Sequence, residues 1–248
     1  MGRIKLTVSY DGTGYSGWQQ QENAVTVCGV LTDRLRELLK EEVILIGASR
    51  TDAGVHALGN VAVFDTETAI PPEIIAYAVN SRLPEDIRVV KSEAVPDTFH
   101  PRFDAHSKCY EYLVSVGEIE DPLSRLYSHH IRTMPDVEKM NAAAGYLVGE
   151  HDFSSFCAAN AQVSSKVRTI YSLTVLKTEN GIKIRVIGNG FLYNMVRIIA
   201  GTLLKAGEGK LEPASIPEIL AAEKREKAGP TAPAKGLRLC WIRYEEEE

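Results

Sequence analysis

Apolar and polar residues alternate from the start of the chain. Ile4, Leu6 and Val8 are separated by Lys5, Thr7 and Ser9, the two-residue period of a half-buried strand. A Gly-rich loop from Asp11 to Gly17 ends at Trp18. Thr26 then stands before Val27, Val30, Leu31, Leu35, Leu38 and Leu39, whose three- and four-residue spacings predict an amphipathic helix with Thr26 as its N-cap. The apolar runs from Ile44 to Ala48 and from Val61 to Phe64 predict two buried strands joined by a polar loop. Pro71 and Pro72 open a helix that runs through Ala78, and Ile87 to Val90 form a strand. The first half therefore reads β-α-β-β-α-β.

The second half repeats that order. From Lys108 to Val116, Tyr110, Tyr112, Val114 and Val116 share one face of a strand. Asp136 caps a helix whose inner side carries Val137, Met140, Ala144, Leu147 and Val148. Strands from Thr169 to Leu176 and from Ile182 to Ile187 flank Glu179-Asn180-Gly181, and Asn-Gly between alternating strands is a strong hairpin signal. Helices are predicted from Phe191 to Leu204 and from Ile216 to Ala228, with a closing strand from Leu237 to Tyr244. The expected class is α/β (α+β), built as two split-βαβ units, residues 1–105 and 106–248.

Composition narrows the picture only slightly. The chain has 248 residues, 44% hydrophobic and 25% charged, ordinary for a globular protein. Its net charge of −5 argues weakly against a nucleic-acid partner. Four of those charges, however, are Glu245 to Glu248, and without them the balance is −5 + 4 = −1. A near-neutral body can carry a basic face. The four cysteines, Cys28, Cys109, Cys157 and Cys240, form no CxxC pair, so neither a metal nor a redox disulfide is expected. The N-terminus alternates and lacks a signal-peptide apolar block, and the uncharged runs on either side of Arg197 are far shorter than the roughly 20 residues of a membrane span. A cytoplasmic protein is expected.

Candidate chemistry lies in two places. Between the runs Ile44 to Ala48 and Val61 to Phe64 sit Arg50, Thr51, Asp52 and His56 around Ala53 and Gly54. An Asp-Ala-Gly turn needs no arginine or histidine beside it, and a loop held by two strands is a rigid mount for chemistry. Asp52 is the first candidate. The second place is the helix FLYNMVRIIAGTLL, apolar nearly all round, in which Arg197 is the only charge. A guanidinium in such a helix is expected to meet a carboxylate or phosphate, or to reach the surface along its apolar stem.

GASRTDAGVHA, with YDGTGYSGWQ before it and NGFLYNMVRIIAGTL after it, closely resembles the tRNA pseudouridine synthase A family. The similarity continues through FHPRFDAHSKCYEYLV and HDFSSFC to the closing GLRLCWIRY. The resemblance implies a pseudouridine synthase fold and isomerisation of uridine to pseudouridine in the anticodon stem-loop of tRNAs. It also implies a homodimer with no metal or organic cofactor. The aspartate of the R-T-D-x-G segment, here Asp52, is implied as the nucleophile. Tyr110 is implied as the aromatic at the target base, and Arg197 as the nucleophile's partner, which places the site between the two units.

Those residue types suit the reaction. A carboxylate can attack the sugar or base, or remove a ribose proton to begin elimination. A target inside a stem must be flipped out, and Arg50, two residues before Asp52, is the candidate to occupy or hold the vacated position. Without the resemblance, Tyr110 beside Tyr112 and Val114 reads as a core aromatic. His56 reads as structural. Arg82, Arg102, Lys166, Arg168, His151 and Phe153 are candidate RNA contacts that could equally be surface charges and core aromatics. Pro101 and Lys235 depart from the family pattern, away from the proposed catalytic set. Two other classes stay open. A nucleoside glycosidase would pair Asp52 with a second carboxylate, with Asp65 and Asp104 as candidates. A non-catalytic RNA-binding module would instead show exposed aromatics on its sheet.

Overall fold

The computed structural model describes residues 2–158 and 163–245. They form a mixed α/β fold of mostly antiparallel strands in two compact units. The first comprises residues up to His106 together with those from Leu239 onward, and the second runs from Ser107 to Arg238.

The first unit follows the expected order. Strand β1 (Gly2–Tyr10) lies between β3 (His56–Thr66) and β4 (Ile87–Val95), antiparallel to both. Alternation from Ile4 puts Leu6 and Val8 wholly inside. Helix α1 (Val27–Leu39) begins where Thr26 accepts a hydrogen bond from the Gly29 amide, 3.2 Å, and ends at Lys40 in the left-handed region. Its inner face is Val27, Leu31, Leu35 and Leu39 as predicted, with Cys28 and Thr32 added and with Val30 and Leu38 only half-buried. Helix α2 (Pro72–Asn80) packs on β4, where the Asn80 side chain brackets Val89 by accepting from its amide and donating to its carbonyl.

The strand pair around Asp52 is antiparallel but unequal. Strand β2 is only Ile46–Gly47, pairing Ile46 with Val63 and Gly47 with Ala62, whereas β3 has eleven residues. The run from Ile44 is therefore not a buried strand: Ile44 is 78% exposed and Ile46 38%. The reason lies at Gly47, where a Cβ would meet the Trp18 indole nitrogen at 2.2 Å. The chain is pressed onto Trp18 there and pairs with β3 only briefly.

The second unit has β5 (Ser107–Val116) beside β9 (Gly181–Gly188), then β8 (Val167–Thr178) and β7 (Gly149–Asp152), all antiparallel. Strand β6 (His129–Ile131) runs parallel to β5. Neither β6 nor β7 is evident from alternation, so the second half is the first order with two short strands and one further helix inserted. The hairpin turns at Glu179-Asn180, and Gly181 answers a different need: its Cβ would lie 2.0 Å from the Val114 carbonyl oxygen on β5. Helix α3 (Val137–Gly145), capped by Asp136, packs on β8 and against α4 (Met195–Gly207). It stops three residues short of Val148, which is exposed. The predicted helix from Ile216 to Ala228 is instead α5 (Ile216–Ala222), closed by Glu223 at φ 51°, followed by a single 3-10 turn at Arg225–Lys227. Strand β10 (Leu237–Arg243) belongs from Leu239 onward to the first unit, where it lies beside β3. Among the described residues no helix is long and apolar enough to cross a membrane.

Candidate active site

Asp52 sits in a loop laced to the Gly-rich loop after β1. The Trp18 amide donates to the Thr51 carbonyl, 3.1 Å, and the Gly54 amide to the Tyr15 carbonyl, 3.2 Å. Gly17, at φ 87°, is required by this approach, since a Cβ would stand 2.5 Å from the Thr51 oxygen. From beneath, the Tyr10 and Thr51 hydroxyls meet at 2.7 Å in the interior. Asn60 on β3 extends that buried network by donating to the Ser49 carbonyl, 3.0 Å. Asp52 itself is half-buried, and its carbonyl accepts from the Val55 amide, 3.1 Å, to close the turn. The backbone of the candidate nucleophile is thus fixed on both sides by main-chain bonds. Arg50 is exposed at the loop's edge.

His56 is structural. It is buried at the start of β3, and its Nδ1 accepts from the Gly12 amide at 3.1 Å with Asp11 at the same distance. It ties the two loops together. The carboxylates considered as a second catalytic acid have other tasks. Asp65 is held in a two-bond fork by Arg3, 2.7 and 2.8 Å, which keeps its carboxyl below the usual range. Asp104 accepts from the His100 amide, 2.9 Å. Among the described residues no group of three or more His, Cys, Asp or Glu is placed to hold a metal.

In the second unit Arg197 lies in the first turn of α4, a helix otherwise buried except at Lys205. Its Nε donates to the Ala232 carbonyl and one terminal nitrogen to Asn194 Oδ1, both 2.8 Å. The helix starts at Met195 and not at Phe191 because Asn194 takes a left-handed conformation, φ 60°. An asparagine at an N-cap normally turns its oxygen to the helix's own amides; here that oxygen goes to Arg197 instead. Tyr110 on β5 is 8% exposed, with Phe191 edge-on at 5.2 Å. Tyr112, on the same strand face, is fully buried and donates to the Pro233 carbonyl, 2.9 Å. Burial pushes its hydroxyl pKa well above the ordinary value, against the charge of Arg197.

The low-lying candidates separate. His151 on β7 pairs across with Arg168 on β8, and the Lys166 carbonyl accepts from the Phe153 amide, 3.1 Å, so four of them cluster at this edge. Lys166 is exposed and Arg168 half-buried, with its guanidinium donating to the carbonyls of Ser165 and Val167. Phe153 is 0% exposed and packs edge-on to Phe156 at 6.0 Å, as a core aromatic does. Arg82 and Arg102 are exposed in the first unit. Asn194 and Tyr10 support the site without standing out in the sequence. For Asn194 the signal was available, a side-chain oxygen three residues before the lone helix arginine. For Tyr10 there was none, since alternation makes it one more core residue.

Residues 6–104 and 143–245 match the family model described as tRNA pseudouridine synthase. The chain is 51% identical over 245 residues to tRNA pseudouridine synthase A of Ruminiclostridium cellulolyticum, covering 98% of this chain and 100% of that one. It is 49% identical over 244 residues to the protein of the same name in a Thermoanaerobacter species, with 98% and 100% coverage. For the Bacillus subtilis protein of that name the identity is 46% over 245 residues, with 98% and 99% coverage.

Proposed function

The chain belongs to the tRNA pseudouridine synthase family, and we propose that it isomerises uridine to pseudouridine in the anticodon stem-loop of tRNAs with Asp52 as nucleophile. It is an isomerase that forms pseudouridine in tRNA. The reaction breaks the N1 to C1′ bond, turns the uracil and joins C5 to C1′; the C5 proton leaves and N1 takes up a proton, so the nucleoside keeps its composition. Asp52 begins it either by covalent attack or by taking a ribose proton, and both routes need an ionised carboxylate held still. The observation that supports Asp52 is its mount: a half-buried carboxylate on a turn pinned through Thr51, Gly54 and Val55.

The other roles follow the family pattern. Arg197 supplies a cation that favours the ionised carboxylate. Tyr110 stacks on the target uracil, its ring already oriented by Phe191. Arg50 holds the position left when the base is flipped. Arg82, Arg102, Lys166, Arg168 and His151 serve phosphates of the tRNA. The protein works in the cytoplasm as a homodimer.

The test uses tRNA carrying tritium at C5 of uridine. Release of tritium with the base retained is expected, and Asp52→Asn should abolish it. Free uracil would identify a glycosidase instead, and neither product a binding protein. Release by Asp52→Asn at the parent rate would remove the nucleophile assignment. Mapping of the product should place pseudouridine in the anticodon arm.

A further inference from the structure

Residues 229–233 form a short strap across α4, tied down at every step. The Gly229 amide donates to Thr202 Oγ1, 2.8 Å, while that hydroxyl donates to the Ile198 carbonyl, 2.7 Å. Pro230 crosses the helix at Gly201, where a Cβ would stand 1.9 Å from its carbonyl oxygen, so the crossing is possible only over a residue without a side chain. Ala232 exchanges two bonds with Arg197: its amide donates to the Arg197 carbonyl, 3.1 Å, and its carbonyl accepts from Arg197 Nε, 2.8 Å. The Pro233 carbonyl accepts from Tyr112, 2.9 Å. Arg225 holds the strap from outside the helix. One terminal nitrogen donates to the Gly229 carbonyl, 2.9 Å, and the other to Thr231 Oγ1, 3.1 Å, spanning the crossing at Pro230.

A flexible arginine is aimed only as well as the acceptors that hold it. Among the acceptors that hold the Arg197 guanidinium are Asn194 Oδ1 within its own turn and the Ala232 carbonyl on the strap. The strap lacks regular secondary structure over these residues, so its position depends on individual ties, most of them to side chains. We infer that Arg225 is a positioning residue for the isomerase, acting through the strap to fix the Arg197 guanidinium. This rests on the proposed role of Arg197. Arg225 need not touch RNA: both terminal nitrogens point at the strap.

The experiment is a double-mutant cycle on the full-length protein with Arg225→Ala, Arg197→Lys and both together. It reads the single-turnover tritium-release rate, the tRNA Kd and the thermal midpoint. Arg197→Lys keeps the charge but removes the Nε bond to the strap. In the parent, Arg225→Ala is expected to lower the rate about tenfold while the Kd stays within about twofold, the pattern of a misplaced group. In the Arg197→Lys background it should change the rate by less than about twofold, because the two act as one unit. Equal losses in both backgrounds, or no loss in the parent, would overturn the inference. If Arg197→Lys alone is as fast as the parent, the role of Arg197 fails, and that outcome is visible without Arg225. Should Arg225→Ala not fold, Thr231→Val removes one of the two ties and is expected to give a smaller loss with the same background dependence; equal loss in both backgrounds overturns the inference here too.

Discussion

The hydroxyl of Tyr10, at the end of β1, lies 2.7 Å from that of Thr51, the residue before Asp52, with both side chains buried. Asn60 Nδ2 approaches the same Tyr10 oxygen at 3.4 Å. Strand β1 thereby sets the height of the loop that carries Asp52, the proposed nucleophile. Removing that oxygen leaves Thr51 with an unpaired buried hydroxyl. Tyr10→Phe should cost about 1 kcal/mol, and lower the turnover rate more than tRNA affinity. Urea unfolding and single-turnover tritium release measure the two effects; an unchanged rate would show that the loop keeps its place without this contact.

Gly17 and Gly14 stand three residues apart in the same loop and should respond oppositely. At Gly17 the backbone is left-handed and a Cβ would press on the Thr51 carbonyl, whereas at Gly14 nothing lies within 4 Å. Gly17→Ala should destabilise by more than about 1 kcal/mol and reduce activity, while Gly14→Ala should leave both nearly as they are. Equal behaviour of the two variants would contradict the close approach of the loops.

Glu111 in the second unit is a carboxylate ringed by three cations. Its side chain is 7% exposed, with Arg238 at 2.6 Å, Lys183 at 3.3 Å and Arg185 at 3.9 Å. Burial opposes its charge, but the hydrogen bond from Arg238 and the pairing with Lys183 outweigh that and hold the carboxyl below its usual range. A depressed value in the fold means the contribution is complete above the unfolded value, about 4.3, and is lost as pH falls through the folded one. Glu111→Gln should lower stability at pH 7 by about 1.5–3 kcal/mol, since partly exposed cations lose a charged acceptor. It should also flatten the acid side of the stability profile. Parallel acid limbs in parent and variant would argue against this network.

Phe153 and Arg168 lie at one edge of the second unit but should fail differently. Phe153→Ala empties a fully buried site and should cost about 3–5 kcal/mol of stability. Arg168→Ala should leave the thermal midpoint almost unchanged, weaken tRNA binding, and reduce the slope of log affinity against log salt by about one if it contacts a phosphate. A full slope in Arg168→Ala would remove it from the RNA-contacting set.

Much of this could be read from residues a few positions apart. The alternation of β1, the Thr26 cap and stripe of α1, and the apolar surround of Arg197 are patterns with periods of two to four residues, and each appears where it was expected. The polar cluster at Asp52 stood out for the same reason, as chemistry that a turn does not need. Distant contacts decided the remainder. Ile44 looks like core but is exposed, because Gly47 must lie against Trp18. Gly181 looks like a turn residue but is demanded by the Val114 carbonyl on another strand. Phe153 could face RNA or the interior, and only the packing with Phe156 chooses. Helix α4 begins at Met195 because Asn194 turns to Arg197, and Arg197 in turn is aimed by Ala232, 35 residues further along the chain. Periodicity reports which side of an element is apolar; which oxygen meets a guanidinium depends on where remote backbone comes to rest, and no local pattern carries that.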